Sequence, residues 1–236
     1  MKKKIMASLF VGSAVVGASL APLSAQAVTT GNTPVQVELG GGVLPDADGD
    51  PNTVRPDPGA TNSNFDLLYI PREFDFGKLS ISDDLTQPIL NKNDVGSNGH
   101  VEVVGVGDLR GTKEGWHLTA QSNGLKLGSE SLQGNISTSS IGIYSLRFDE
   151  TTNSYTYKGA STNIEVRPNV PIEKGWTLAL GGEATLLANA AIGKGQGLWD
   201  FSMFTTSLNI TTPAYNIKAG NYTGNITWNL VAGPTI

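Results

Sequence analysis

The chain has 236 residues, no cysteine and a formal net charge of −5 at pH 7. The missing thiol excludes a disulfide framework and a cysteine nucleophile, and the acidic balance excludes a polycation that gathers on nucleic acid or anionic lipid by charge alone. Stability must come from a packed core, for which the length is ample.

The N-terminus predicts export. Lys2, Lys3 and Lys4 precede an apolar, small-residue stretch from Ile5 to Leu23. Ser24-Ala25-Gln26-Ala27 then places small residues at the first and third positions before a cut after Ala27. Residues 1–27 are therefore expected to be a signal peptide and to lie outside the fold. From Val28 on, thirteen basic residues face twenty-one acidic ones, a charge of −8 that disfavours simple electrostatic adhesion to anionic wall polymers.

Residues 28–64 have the composition of a disordered, Pro/Asp-rich leader. Leu44-Pro45-Asp46-Ala47-Asp48-Gly49-Asp50-Pro51 and Arg55-Pro56-Asp57-Pro58-Gly59 offer little apolar surface to offset the entropy of ordering. Val35, Val37 and Leu39 alternate with polar residues and predict one short strand. Asp46, Asp48 and Asp50 mimic the start of a calcium loop, but Pro51 occupies the sixth place, where such a loop needs glycine. A solvated acidic linker is the better reading.

From Phe65 the texture changes to short β-branched and aromatic runs between Gly, Asn, Asp and Ser clusters, which predicts an all-β, sandwich-like domain of short antiparallel strands over residues 65–236. Strands are expected at Asp66 to Ile70, Lys78 to Ile81, His100 to Gly105, Trp116 to Ser122, Ile136 to Tyr144, Ser154 to Lys158, Asn163 to Val166, Trp176 to Leu180, Ser202 to Ile210 and Gly224 to Leu230. Glu183 to Ile192 has good helix formers hemmed in by glycines and is left as one short helix or a further strand.

Two segments carry the functional information. The first runs Val106-Gly107-Asp108-Leu109-Arg110-Gly111-Thr112-Lys113-Glu114-Gly115-Trp116-His117-Leu118-Thr119-Ala120; the second is Ala219-Gly220-Asn221-Tyr222-Thr223-Gly224-Asn225-Ile226-Thr227-Trp228-Asn229-Leu230. In a strand, Trp116, Leu118 and Ala120 share one face, and Ile226, Trp228 and Leu230 share another, each opposite a polar face.

These residues resemble the WxL-domain surface proteins of low-GC Gram-positive bacteria. The proximal Trp-x-Leu after an Asp-x-Arg-Gly-Thr run is matched by Asp108, Arg110, Gly111, Thr112, Trp116 and Leu118; the distal one by Tyr222, Thr223, Trp228 and Leu230. Pro71-Arg72-Glu73-Phe74-Asp75-Phe76-Gly77 matches the family's opening element, and the likeness extends from about Phe65 to Pro234. The resemblance implies non-covalent attachment to peptidoglycan or another wall polymer. It also implies assembly with companion WxL and membrane-anchored surface proteins, and it leaves room for host matrix proteins as ligands. The C-terminal residues carry no sorting motif, apolar span or basic tail, which fits non-covalent retention. Gly175-Trp176-Thr177-Leu178 also spells Trp-x-Leu but lacks the Arg-Gly-Thr lead, and no function is carried onto it.

Each feature has a plainer account. Trp116 and Trp228 fit core packing as well as ligand contact. Arg110 fits an ion pair with Asp108 as well as a donor to a wall carboxylate or phosphate. His100 and His117 are the only histidines and show no metal-ligand spacing, so neither metal nor cofactor is expected. No Gly-x-Ser-x-Gly, His-Glu-x-x-His or phosphate loop is present. The carboxylate pairs Asp83-Asp84 and Asp149-Glu150 fall at expected turns, so a secreted wall hydrolase ranks last.

Overall fold

The computed structural model describes residues 33–47, 49, 52–92, 101–170 and 175–234; the expected signal peptide, Asp48, Asp50 and His100 lie outside them. The chain divides into Met1–Glu38 and Leu39–Ile236. In the first unit residues 33–38 run without regular structure, and Val35 and Val37 are exposed. Among the described residues, the strand expected over Val35 to Leu39 has no partner strand and does not form.

The second unit is all-β. Its strands are β1 Thr53–Val54, β2 Phe65–Pro71, β3 Ile89–Leu90, β4 Val101–Asp108, β5 Trp116–Ser122, β6 Leu125–Leu127, β7 Glu130–Leu132 and β8 Gly134–Ser137. They continue with β9 Ser140–Asp149, β10 Ser154–Ala160, β11 Thr177–Ala179, β12 Thr185–Ala190, β13 Gly197–Phe204, β14 Ser207–Ile210 and β15 Ile226–Ala232. Ala214–Asn216 forms a single 3-10 turn. All pairings are antiparallel. A six-stranded sheet runs β1-β2-β4-β13-β9-β10, a four-stranded sheet β11-β8-β14-β3 and a three-stranded sheet β12-β5-β15, with β6-β7 as a separate hairpin.

Two strands expected to be continuous each divide and change sheet. Ile136 to Tyr144 divides at Thr138 and Ser139 into β8 and β9; Ser202 to Ile210 divides at Thr205, whose φ is 53°, into β13 and β14. Since β9 pairs with β13 and β8 with β14, one ribbon turns the corner between two sheets. Asn163 to Val166 is a turn because the Asn163 side chain accepts from the Glu165 amide, offering the backbone a local alternative to a ladder. Lys78 to Ile81 is likewise no strand: the Ser80 amide donates to the Asp83 carboxylate at 2.7 Å. Glu183 to Ile192 resolves as β12, where pairing with β5 and burial of Leu187, Ala188 and Ala190 override the helix propensity of its alanines and leucines.

The six-stranded sheet serves two cores. Along β4, Val104 and Val106 face the main core with Trp116, Leu118, Trp176, Leu187, Trp199 and Phe201, contributed by the other sheets and by β13. Val103, Gly105 and Gly107 face the opposite way. There Leu44, Ala47, Leu68, Tyr69, Leu146 and Tyr155 form a second core. A bulge between Leu67 and Tyr69 turns both Leu68 and Tyr69 toward it. The glycines make the room: a methyl at Gly105 would sit 2.6 Å from the Tyr69 ring, and one at Gly107 2.5 Å from Leu44.

This second core corrects the expectation of an unpacked leader through residue 64. From Leu44, which is 1 % exposed, the leader is docked on the sheet. Its amide at Gly42 donates to Leu109 O at 2.8 Å, Tyr155 donates its phenol to Pro45 O at 2.5 Å, and β1 pairs with β2. Low apolar content is overcome here by two well-placed residues, Leu44 and Ala47. The buried Asp200 carboxylate accepts from the Tyr69 phenol at 2.8 Å and from Ser202 Oγ at 2.6 Å, which compensates its desolvation.

Candidate functional site

The two Trp-x-Leu segments lie side by side. In the register of β5 against β15, Leu118 faces Leu230, Trp116 faces Ala232 and Trp228 faces Ala120. Both strands read Trp-x-Leu-x-Ala, so antiparallel pairing sets each indole against an alanine and leucine against leucine. Large opposes small at both ends, and neither indole competes with the other for the same space.

The two indoles have different fates because β5 is central in its sheet and β15 is an edge. Trp116 is 0 % exposed; its Nε1 donates to Gly195 O at 3.0 Å, and its ring meets Phe201 edge-on at 6.0 Å. Gly195 O also accepts from Trp199 Nε1 at 2.9 Å, so one carbonyl fixes two buried indoles. Trp228 is half-buried and stacks on Trp176, with centroids 6.1 Å apart and planes 20° apart. Trp176 itself is sealed and donates Nε1 to Leu186 O at 3.1 Å. The third Trp-x-Leu thus supplies the platform beneath the distal one, a link that strand alternation alone does not reveal.

Trp228 and Ile226 open onto a groove of about 280 Å³ that is also lined by Phe74 and Phe76. The opening element and the distal motif, far apart in sequence, therefore meet in one aromatic surface. A second, polar hollow of about 590 Å³ lies beside it, with Gln121, Asn123, Lys126, Gln133 and Thr227 in its walls.

The residues before Trp116 form a clamp. Arg110 grips Asp108 through Nε and Nη2, each at 2.9 Å, reaches Glu114 with Nη1, and donates to Gly115 O at 3.0 Å. The guanidinium carbon lies 3.7 Å from the Phe65 ring centroid, a cation–π arrangement. Hydrogen bonding to Asp108 raises the Arg110 pKa above its ordinary value. Gly111 has φ of 78°, which a side chain would strain, and Thr112 donates its hydroxyl to Glu114 at 3.1 Å. Of the two sequence-level accounts of Arg110, the internal ion pair is the one formed. His117 is half-buried, with Nδ1 2.8 Å from Gly233 O, and so ties the C-terminal end to β5.

Acidic side chains of both expected pairs bond locally: Asp83 accepts from the Ser80 amide at 2.7 Å and Asp149 from the Thr151 amide at 2.9 Å. Asp46 pairs with Arg55 at 2.9 Å and accepts from the Asn62 amide. Asp84 is held below the usual carboxylate range by the hydroxyl and amide of Thr86, the opposite of the raised pKa a glycosidic general acid needs.

No curated protein and no solved structure matches the chain. A family described as WxL domain, surface cell wall-binding, matches residues 25–234. With that match covering nearly all of the sequence and both Trp-x-Leu strands paired in one sheet, the chain belongs to the WxL-domain family of surface cell wall-binding proteins.

Proposed function

We propose that the protein is exported by residues 1–27 and holds non-covalently to peptidoglycan on the Gram-positive surface. Trp228, with Phe76 and Phe74 beside it, is the contacting edge. Trp116, Leu118 and Leu230 hold that edge in place, and the Asp108–Arg110–Gly111–Thr112 clamp sets the entry of β5. The observation that carries this reading is the half-buried Trp228 ring, backed by Trp176 and opening on an aromatic groove. Aromatic rings with one face packed and one edge wet combine apolar contact with low ordering cost, which suits them to ligand contact. The chemistry is that of a binding module, in which affinity comes from surface complementarity.

Co-sedimentation with purified Gram-positive peptidoglycan tests it. Wild-type protein pellets, and W228A and F76A remain in the supernatant while keeping the wild-type circular dichroism. Wild-type pelleting no better than an unrelated exported protein overturns the reading. A second reading, a subunit that binds companion surface proteins, draws on the open outer edge of β15. Retention that requires a surface extract, and fails on bare wall, favours it.

A further inference from the structure

We propose that residues 34–39 of one molecule dock as an added strand along the outer edge of β15 in a second copy. The proposal does not depend on wall binding.

The sheets of this protein close their edges in recognisable ways. β1, β3 and β11 are two or three residues long. β10 carries Lys158 and a register shift. The outer side of β12 is met by Asn169, which exchanges two backbone hydrogen bonds with Asn189 at 2.7 and 2.8 Å. Short edges, lysine, bulges and covering segments are the usual defences against strand addition. β15 has none of them: its seven residues, Ile-Thr-Trp-Asn-Leu-Val-Ala, carry no charge and no proline, and its ladder is regular.

The register identifies which groups are open. The Asn123 amide donates to Asn225 O at 3.1 Å, and the Gly233 amide donates to Gly115 O at 3.0 Å. Hydrogen-bonded pairs alternate along an antiparallel ladder, so the odd-numbered residues between these points turn their backbone groups toward β5. Ile226, Trp228, Leu230 and Ala232 turn theirs outward. Among the described residues, β5 is the only strand paired with β15, and no loop bond reaches that outer side. The distal Trp-x-Leu thus offers an open ladder as well as an indole.

The same chain carries a segment of matching form. Val35, Val37 and Leu39 are 90 %, 81 % and 88 % exposed, in an alternating Val-Gln-Val-Glu-Leu run that has β propensity and, among the described residues, no partner strand. Gly42 is fixed to Leu109, and the nine residues 33–41 before it can reach about 30 Å. The groove beside β15 is lined by one cation, Arg72, and no acid; residues 33–41 hold one acid, Glu38, and no base. Area favours reciprocal exchange: two arms on two edges make four surfaces, and about 400 Å² on each reaches the ~1,600 Å² of a standard stable interface. One-way docking reaches about half of that.

Sedimentation velocity and amide hydrogen exchange on the full exported protein test the proposal. Wild-type protein forms dimers or larger species as concentration rises, and the Trp228 and Leu230 amides are protected in them. V35D/V37D stays monomeric with unchanged circular dichroism and exchanges those amides about ten-fold faster. Because the chain has no cysteine, Q36C copies mixed with N229C copies, both on the polar face when Val35 and Val37 lie with Trp228, give a disulfide-linked heterodimer on mild oxidation. A monomer at every concentration overturns the proposal, even if V35D/V37D deprotects the edge, since that result places the segment in its own molecule. Assembly and protection unaffected by V35D/V37D overturn it too.

Discussion

Replacing each motif tryptophan by alanine should separate packing from contact. Trp116 is fully enclosed, so W116A removes a whole buried indole and leaves a cavity, a change that costs about 3–5 kcal/mol. The hydrogen-bond loss adds little, because Gly195 O keeps its bond from Trp199. Trp228 is half-buried; roughly half that transfer cost, with the stacking on Trp176 included, gives about 2 kcal/mol. For a domain of this size each kcal/mol moves Tm by about 2–4 °C. W116A should then melt about 6–20 °C lower and W228A about 4–8 °C lower, read by circular dichroism. With a typical stability of about 5–15 kcal/mol, W228A remains folded at room temperature, so its loss of wall retention reports a lost contact. Iodide quenching gives an independent readout: of the four tryptophans, Trp116, Trp176 and Trp199 are buried, and W228A should abolish most of the quenchable emission. Equal destabilisation by the two substitutions, or a W116A cost below about 1 kcal/mol, would refute the assignment of one indole to the core and the other to the edge.

Three further outcomes follow from the geometry. G107V places side-chain atoms where Leu44 sits, so limited proteolysis should cut within residues 44–57 several times faster while the strands from β2 onward stay folded. R110A leaves the Asp108 carboxylate, 1 % exposed, without its guanidinium and should cost about 3 kcal/mol in chemical denaturation; adding D108N should recover a good part of it. Burial pushes the Tyr155 phenol up to about 12. An acid with a raised folded pKa contributes stability that is intact below its ordinary value near 10 and is lost as pH climbs toward 12, here about 2–3 kcal/mol. Tm should fall over that interval in wild type and much less in Y155F.

Strands were legible where one face is apolar and the other polar. Trp116 to Ser122 is bounded as alternation predicts, and Gly224 to Leu230 shifts by two residues. Legibility failed where burial was on both sides, or where side chains bonded their own backbone. Val104-Gly105-Val106-Gly107 does alternate, but it alternates valine with hollows, and nothing local says that Leu44 and the Tyr69 ring fill them. The corners at Ser139 and Thr205 join strands of different sheets, a tertiary fact invisible to periodicity. At the site, the sequence shows two Trp-x-Leu segments but not that they pair side by side. The stacking of Trp176 on Trp228 and the approach of Phe74 and Phe76 depend on pairings distant in sequence, and no local pattern encodes them.

The repetition of Trp-x-Leu-x-Ala has a packing cause that also explains why the two copies differ. Two antiparallel neighbours that present one face to one core form rows across the sheet, and a directional large–medium–small order reverses between them. Trp116–Ala232, Leu118–Leu230 and Ala120–Trp228 are then rows of comparable bulk, and the sheet stays evenly spaced. The two alanines are therefore as much a part of the motif as the tryptophans. A120L would drive its side chain toward the Trp228 ring, and A232L would crowd Trp116, which has no room to move. Every row ends on the edge strand, but only in the Ala120–Trp228 row does that strand carry the indole. Identical motif letters thus yield a sealed indole in the central strand and a half-buried one in the outer strand, and position in the sheet decides between them.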